Sequence, residues 1–402
     1  MSAANKFQSD ESYFAEPRRR LTQALVLAFF SIFLMFLFGG FKSADPTRSD
    51  FLKYYVLSHR LHAGEPIYDP VQIDSHLKDS VQKIEHGELI ELDQSKFSRP
   101  SDPPPLTLAT WPFALLPYSA SWWLLCLSSL IIVTIAIYRV ATELDFSRLD
   151  KTIWVFIALG SIPVLLNGLL NHIEAFVWGA LIYGWVALRK GYQIRAGFLW
   201  GIAGAMKLFP LALIPMTFAA GYKKLSSWMA ATALCAFFLP LLVFEKSSAH
   251  QFFYEVLPQS SQFRFSWANS SVISLMSWFV SVELATLLAG LFLTWTIYLC
   301  KSHRTADQIF VLGISASLLC SPLCWSYYFI LAIPCIMIIL SRSPRLNGNK
   351  LPFLLATLVY WPGLLGGFIF SSSLPVAIMI PINFAPTLGL FTLWRFAQAG
   401  QR

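Results

Sequence analysis

Ionisable side chains are scarce in the apolar stretches of this chain. They cluster as His172 and Glu174 in "NGLLNHIEAF", Lys207 in "GAMKLFP" and Glu283 in "SVELA". A charge at membrane depth costs about 2.5–3.5 kcal/mol on insertion scales, so each such group needs a function or a partner. His172, Glu174 and Glu283 fall near helix starts, where headgroups can hydrate them. Lys207 lies about a dozen residues inside its run, too deep for its stem to carry the ammonium to the surface. Two readings stay open for it: an ion pair with Glu174, or a point charge that binds a phosphate. In both it faces an internal cavity that Glu174 and His172 also line. Asn167, Asn171 and Asn269 are the neutral counterparts of these groups.

The densest ionisable stretch is "RSDFLKYYVLSHRLHAGEPIYDP", residues 48–70. Ser49 is a candidate N-cap and Asp50 occupies the first turn, where a carboxylate stabilises the dipole by about 0.3–1 kcal/mol. Phe51, Tyr54, Tyr55, Ser58 and Leu61 or His62 recur at helical spacing, and Gly64 ends the run. The spacing predicts an amphipathic helix over 49–63 lying on the outer membrane surface. A second, more polar helix is expected over about 71–86. His59 and His62 read as solvated; with His76 and His86 they form no metal-ligand spacing. "DPTRSD" is no D-x-D motif either, so neither a metal nor another cofactor is expected.

These groups must be held by membrane helices. Of 402 residues, 56% are hydrophobic and 13% charged, where soluble domains carry about 25% charged residues. Apolar runs near the ~20-residue spanning length fall at 21–41, 119–140, 152–166, 173–188, 195–209, 210–222, 227–245, 281–300, 307–321, 325–341, 351–370 and 374–395. The fold class is therefore all-α, a polytopic bundle of about 12 helices. Lys207 falls near the turn of a hairpin, 195–209 with 210–222, broken at Pro210.

The net charge of +8 resides largely in short loops, among them Arg139, Arg148, Lys151, Arg189, Lys190, Arg195, Lys223, Lys224, Lys301 and Arg342. Positive-inside counting makes those loops and both termini cytoplasmic and excludes nucleic acid as the partner of the charge. It leaves 42–105 and 246–271 as extracytoplasmic loops of one domain, 1–402, with residues 1–20 as a cytoplasmic tail. The six cysteines lie in or beside apolar runs, and "CSPLC" is small apolar packing rather than a metal pair.

In order, several segments resemble glycosyltransferase family 87: "SDFLKYYVLSHRLHAGEPIYDP", the proline-led "PPPLTLATWPFALLP", "RAGFLWGIAGAMKLFPLALIP" with its A-G…K-x-x-P pattern, "NSSVISLM" and "SPLCWSYYFILAIP". The resemblance implies the membrane GT-C fold. It also implies a polyprenyl-phosphate-sugar-dependent hexosyltransferase, mannosyltransferase-like, in the plasma membrane. Donor and lipid-linked or glycan acceptor would meet on the extracytoplasmic face. By position Asp50 would be the catalytic base, with Lys207, His172, Glu174, Asn171, Asn269, Tyr54, Trp325, Tyr327 and Tyr328 binding substrate. This chain departs from the family pattern at Asn171-His172-Ile173-Glu174, where many members have G-Q-x-N. It departs again at Tyr327 and Tyr328, where some mannosyltransferases have histidine. A secondary transporter or lipid flippase would instead need inverted repeats, which the sequence does not show.

Overall fold

A computed structural model describes residues 50–64, 67–68, 102–242, 246–259, 269–302, 305–342, 350–361 and 376–399. The expected first helix at 21–41, Ser49 and the helix at 71–86 lie outside the described residues. Within them the chain is all-α, and the backbone pairing of Asn269 with Trp325 is an isolated bridge, not a strand.

The elements that frame the site come first in the chain. Helix α1 spans Asp50–Ala63 and α2 spans Pro104–Thr110, followed by a 3-10 turn at Trp111–Leu115. Helix α3 spans Tyr118–Glu143, α4 Arg148–Leu159, α5 Ile162–Leu170, α6 Glu174–Arg189 and α7 Gln193–Met206. A 3-10 turn, Phe209–Ala212, leads into α8, Leu213–Ala219, and then α9, Lys223–Phe238. Beyond short helical turns follow α10 (Val282–Cys300), α11 (Ala306–Cys320), α12 (Ala332–Arg342, after a 3-10 turn at Ser326–Leu331), α13 (Lys350–Leu358) and α14 (Val376–Ala399).

Two of these helices, α3 and α10, are long and apolar enough to cross a membrane, and α4 with α5, bent by 51°, makes up to a third. Shorter apolar stretches follow at Phe209–Ala219, Ala306–Cys320 and Ser326–Arg342. Several apolar runs of the sequence are divided by local chemistry. Ser161 caps α5 with Pro163 in its first turn, and Pro210 prevents α7 from running into α8. Along α10 the outward face carries Leu284, Leu287, Leu291, Trp295 and Tyr298, all exposed, as suits a lipid-facing surface.

The tightest helix pair is α7 with α9. A Cβ at Gly197 would stand 2.6 Å from the Leu225 carbonyl oxygen, and one at Gly201 2.6 Å from Cβ of Thr232. Small residues four apart let the two backbones touch, which is how helices associate where lipid removes the hydrophobic drive. That contact fixes α7, and with it Lys207 at its end.

Helix α1 departs from the expectation of a surface helix with one wet face. Phe51, Leu52, Tyr54, Tyr55, Val56, Leu57, Ser58 and Leu61 are buried, but so is Arg60 on its polar side. A second segment is tied to this helix by side-chain bonds. Tyr55 donates to the Leu116 carbonyl at 2.8 Å, the hydroxyls of Ser58 and Thr110 lie 3.0 Å apart, and Tyr68 donates to the Asp102 carbonyl at 2.7 Å. The proline-led segment 102–116 is thus bonded onto α1 along the face that carries Tyr55 and Ser58.

Candidate active site

Three chain breaks bring the ionisable groups together. Helix α5 ends at Asn171, whose left-handed conformation (φ 51°, ψ 56°) suits asparagine, and whose Nδ2 donates to the Trp122 carbonyl at 2.8 Å. The next residue, His172, is turned inward and buried, and Glu174 opens α6. Helix α7 stops at Met206, and Lys207 takes extended backbone angles before Pro210. Asp102 precedes the prolines that start α2.

The result is a chain of alternating charges. Asp50 Oδ2 lies 2.6 Å from His172 Nε2, and His172 Nδ1 lies 3.2 Å from Glu174 Oε2. Glu174 Oε1 is 2.9 Å from Lys207 Nζ, which donates to Asp102 Oδ1 at 3.0 Å. Asp102 Oδ2 is 2.9 Å from Lys53 Nζ. Lys53 and Asp50 lie one helical turn apart on α1, so the chain closes on itself. Glu174 and Asp102 are almost fully buried, whereas the Asp50 side chain is 41% exposed.

With His172 protonated, these six groups carry no net charge. Electrostatics favour that state. Burial works against the imidazolium, but the Glu174 and Asp50 carboxylates outweigh it and raise the His172 pKa to about 9. Desolvation pushes the Asp50 carboxyl up, yet His172 and Lys53 hold it below the usual carboxylate range. Asp102 is likewise held down, Lys207 and Lys53 outweighing its burial. Lys53 is disfavoured by burial and raised overall by Asp102 and Asp50.

Lys207 therefore faces inward, away from lipid, as its cost requires, and onto two carboxylates. A groove of about 660 Å³ lies between α8, α9 and α10, lined by Ile214, Phe218, Ile297 and Lys301 at the basic end of the bundle. Tyr54 places its hydroxyl 2.9 Å from His172 Nδ1. Tyr327 packs its ring 4.2 Å from the His172 ring, centroid to centroid, and Trp325 stacks on Tyr327 at 6.5 Å and 22°. Tyr328 packs on Phe209, just beyond Lys207.

Asn171 and Asn269 serve the backbone. Asn269 donates to the Pro322 carbonyl at 2.9 Å, and its Oδ1 accepts from the Ser271 and Cys324 amides, tying "NSS" to "SPLC" and so setting the approach to Trp325. All six cysteines are free. Among the described residues, no three His, Cys, Asp or Glu side chains are grouped to hold a metal ion. Lys53 and Asp102 were not singled out from sequence: a lysine in a polar helix and an aspartate before prolines look like a solvated face and a turn. The spacing of Lys53 from Asp50 was the available signal.

The sequence profile of glycosyltransferase family 87 matches residues 102–322, more than half of the chain. The chain belongs to that family. No curated protein and no solved structure matches it. Family membership makes the protein a glycosyltransferase that acts on a sugar donor and an acceptor. The matched stretch holds Asp102, His172, Glu174 and Lys207, four of the six charged groups, and Asp50 lies before it.

Proposed function

We propose that this glycosyltransferase moves a hexose, in a mannosyltransferase-like reaction, from a polyprenyl phosphate to a lipid-linked or glycan acceptor. It does so on the extracytoplasmic face of the plasma membrane. In this reading the chain is one GT-C-type domain of about 12 helices with cytoplasmic termini. The observation that carries the proposal is the Asp50 carboxylate, the most exposed member of an otherwise buried charge ring. Its place in the bundle fits. Helix α6 runs about 24 Å from Glu174 in the ring to Arg189, and α7 returns from Arg195 to Lys207. The ring is thus at the end opposite the basic loops.

The chemistry is a single displacement. The acceptor oxygen forms a bond to the anomeric carbon, the bond from that carbon to the phosphate oxygen breaks, and its electron pair stays on the phosphate. The acceptor proton passes to Asp50. A carboxylate held this far down is a weak base, but the hydroxyl becomes strongly acidic once its oxygen bonds to carbon, so late transfer suits it. General-base help of this kind contributes typically about 10²–10⁴-fold. As Asp50 loses its charge the departing phosphate gains one, so the total at the site is unchanged. His172 holds Asp50 in place, Lys207 and Asp102 hold Glu174 and Lys53, and Trp325 with Tyr327 offers an aromatic face to the sugar.

The test is transfer itself. Membranes containing the protein are given labelled polyprenyl-phosphate hexoses, and the lipid and glycan products are identified by mass spectrometry. Label moving to an acceptor only when the protein is present supports the reading. Transfer from nucleotide-sugar alone, with none from polyprenyl-phosphate sugars, overturns it.

A further inference from the structure

Two lysines belong to the ring, and they are not equivalent. Lys207 Nζ is held by Asp102 at 3.0 Å and Glu174 at 2.9 Å, which uses two of the three donors of an ammonium. Moving it would take one cationic partner from two buried carboxylates at once, leaving Glu174 to His172 at 3.2 Å and Asp102 to Lys53 at 2.9 Å, and under-compensated charge in the interior is expensive. Lys53 has a different position. Asp102 at 2.9 Å is its carboxylate partner among the described residues, and its ammonium sits 5.3 Å above the Tyr54 ring. If Lys53 shifts, Asp102 keeps Lys207. Lys53 also stands on the same helix as Asp50, one turn on, next to the exposed carboxylate.

We infer that Lys53, not Lys207, is the cation that contacts the phosphate of the lipid-linked donor, and that Lys207 is the fixed strut that lets it do so. This rests on the polyprenyl-phosphate reading above. Lys53 has two donors left for phosphate oxygens, and its flexible stem allows the short outward swing. Its neighbour Asp50 is then one helical turn from the phosphate, on the side where the acceptor hydroxyl must lose its proton. As the sugar leaves, the phosphate gains negative charge, and a charge-assisted hydrogen bond from Lys53 strengthens in step.

Binding in phosphatidylcholine nanodiscs tests this, with a short-chain polyprenyl phosphate and the matching uncharged polyprenol as probes. The wild type is expected to prefer the phosphate by at least about 10-fold, and Lys53→Met to lose most of that preference while binding polyprenol normally. A wild type with no preference would overturn the polyprenyl-phosphate reading and this inference together. A preference retained in full by Lys53→Met overturns the inference alone. Phosphatidylglycerol displacing the probe at equal concentration would mark a general anionic-lipid site and also overturn the assignment.

A second measurement does not depend on the folding of the Met variant. In ¹⁵N-lysine-labelled wild type, bound polyprenyl phosphate should dephase one lysine ammonium signal by ³¹P coupling, and Lys53→Arg should lack that signal. The same signal persisting in Lys53→Arg contradicts the inference.

Discussion

His172 joins two carboxylates from different parts of the chain: its Nε2 lies 2.6 Å from Asp50 Oδ2, and its Nδ1 3.2 Å from Glu174 Oε2. The imidazolium is what fastens α1 to the α5–α6 connection.

A pH dependence follows. The His172 pKa rises on folding from 6.5 to about 9. A raised pKa contributes stability that is fully present below the unfolded value and is lost as pH climbs through the folded one. The thermal midpoint in detergent should therefore fall by at least about 2 °C between pH 6.5 and 9.5. His172→Gln should flatten that slope. Equal slopes in the two proteins would contradict the assignment.

Lys207→Met removes the shared partner of two buried carboxylates. Breaking a buried pair from one side costs about 3–5 kcal/mol, so the variant should unfold at markedly lower temperature. Lys207→Met/Glu174→Gln, which restores zero net charge with Asp50 on His172 and Asp102 on Lys53, should recover part of the loss. If the single variant is as stable as the wild type, Lys207 is not the strut.

The α7–α9 contact leaves no room for a larger side chain. Gly201→Val would press on the Thr232 side chain and the Met229 carbonyl, and overpacking of this kind costs about 1–3 kcal/mol. Because α7 carries Lys207, turnover should fall as well. A variant with unchanged stability would show that the helices separate at no cost.

A single displacement inverts the anomeric centre. The product should carry the configuration opposite to that of the donor, as read by NMR of the released glycan. Retention would require a covalent glycosyl intermediate, with a carboxylate such as Asp50 acting as nucleophile instead of base, and would contradict the single displacement.

Much of the site was legible because burying charge is costly. That rule alone picked out Lys207, His172 and Glu174 and expected them together. Pattern also located α1, expected over 49–63 and observed at Asp50–Ala63, and α3, α6, α7 and α10 within a few residues. Asp102 and Lys53 were not legible, since their burial comes from the proline segment folding over α1, a long-range event with no local signature. Arg60, which the spacing placed toward water, is buried as well. The amide groups of Asn171 and Asn269 donate to the backbone carbonyls of Trp122 and Pro322, contacts distant in sequence that no local pattern announced.

The central claim is that Asp50 takes the acceptor proton, and Asp50→Asn tests it most directly. The amide keeps size and polarity but is not basic. Turnover should be measured per folded molecule, with donor binding measured beside it. The account predicts a fall in kcat of at least about 100-fold with donor affinity unchanged. Near-wild-type turnover in the folded Asn variant would contradict it and leave Asp50 a structural partner of His172.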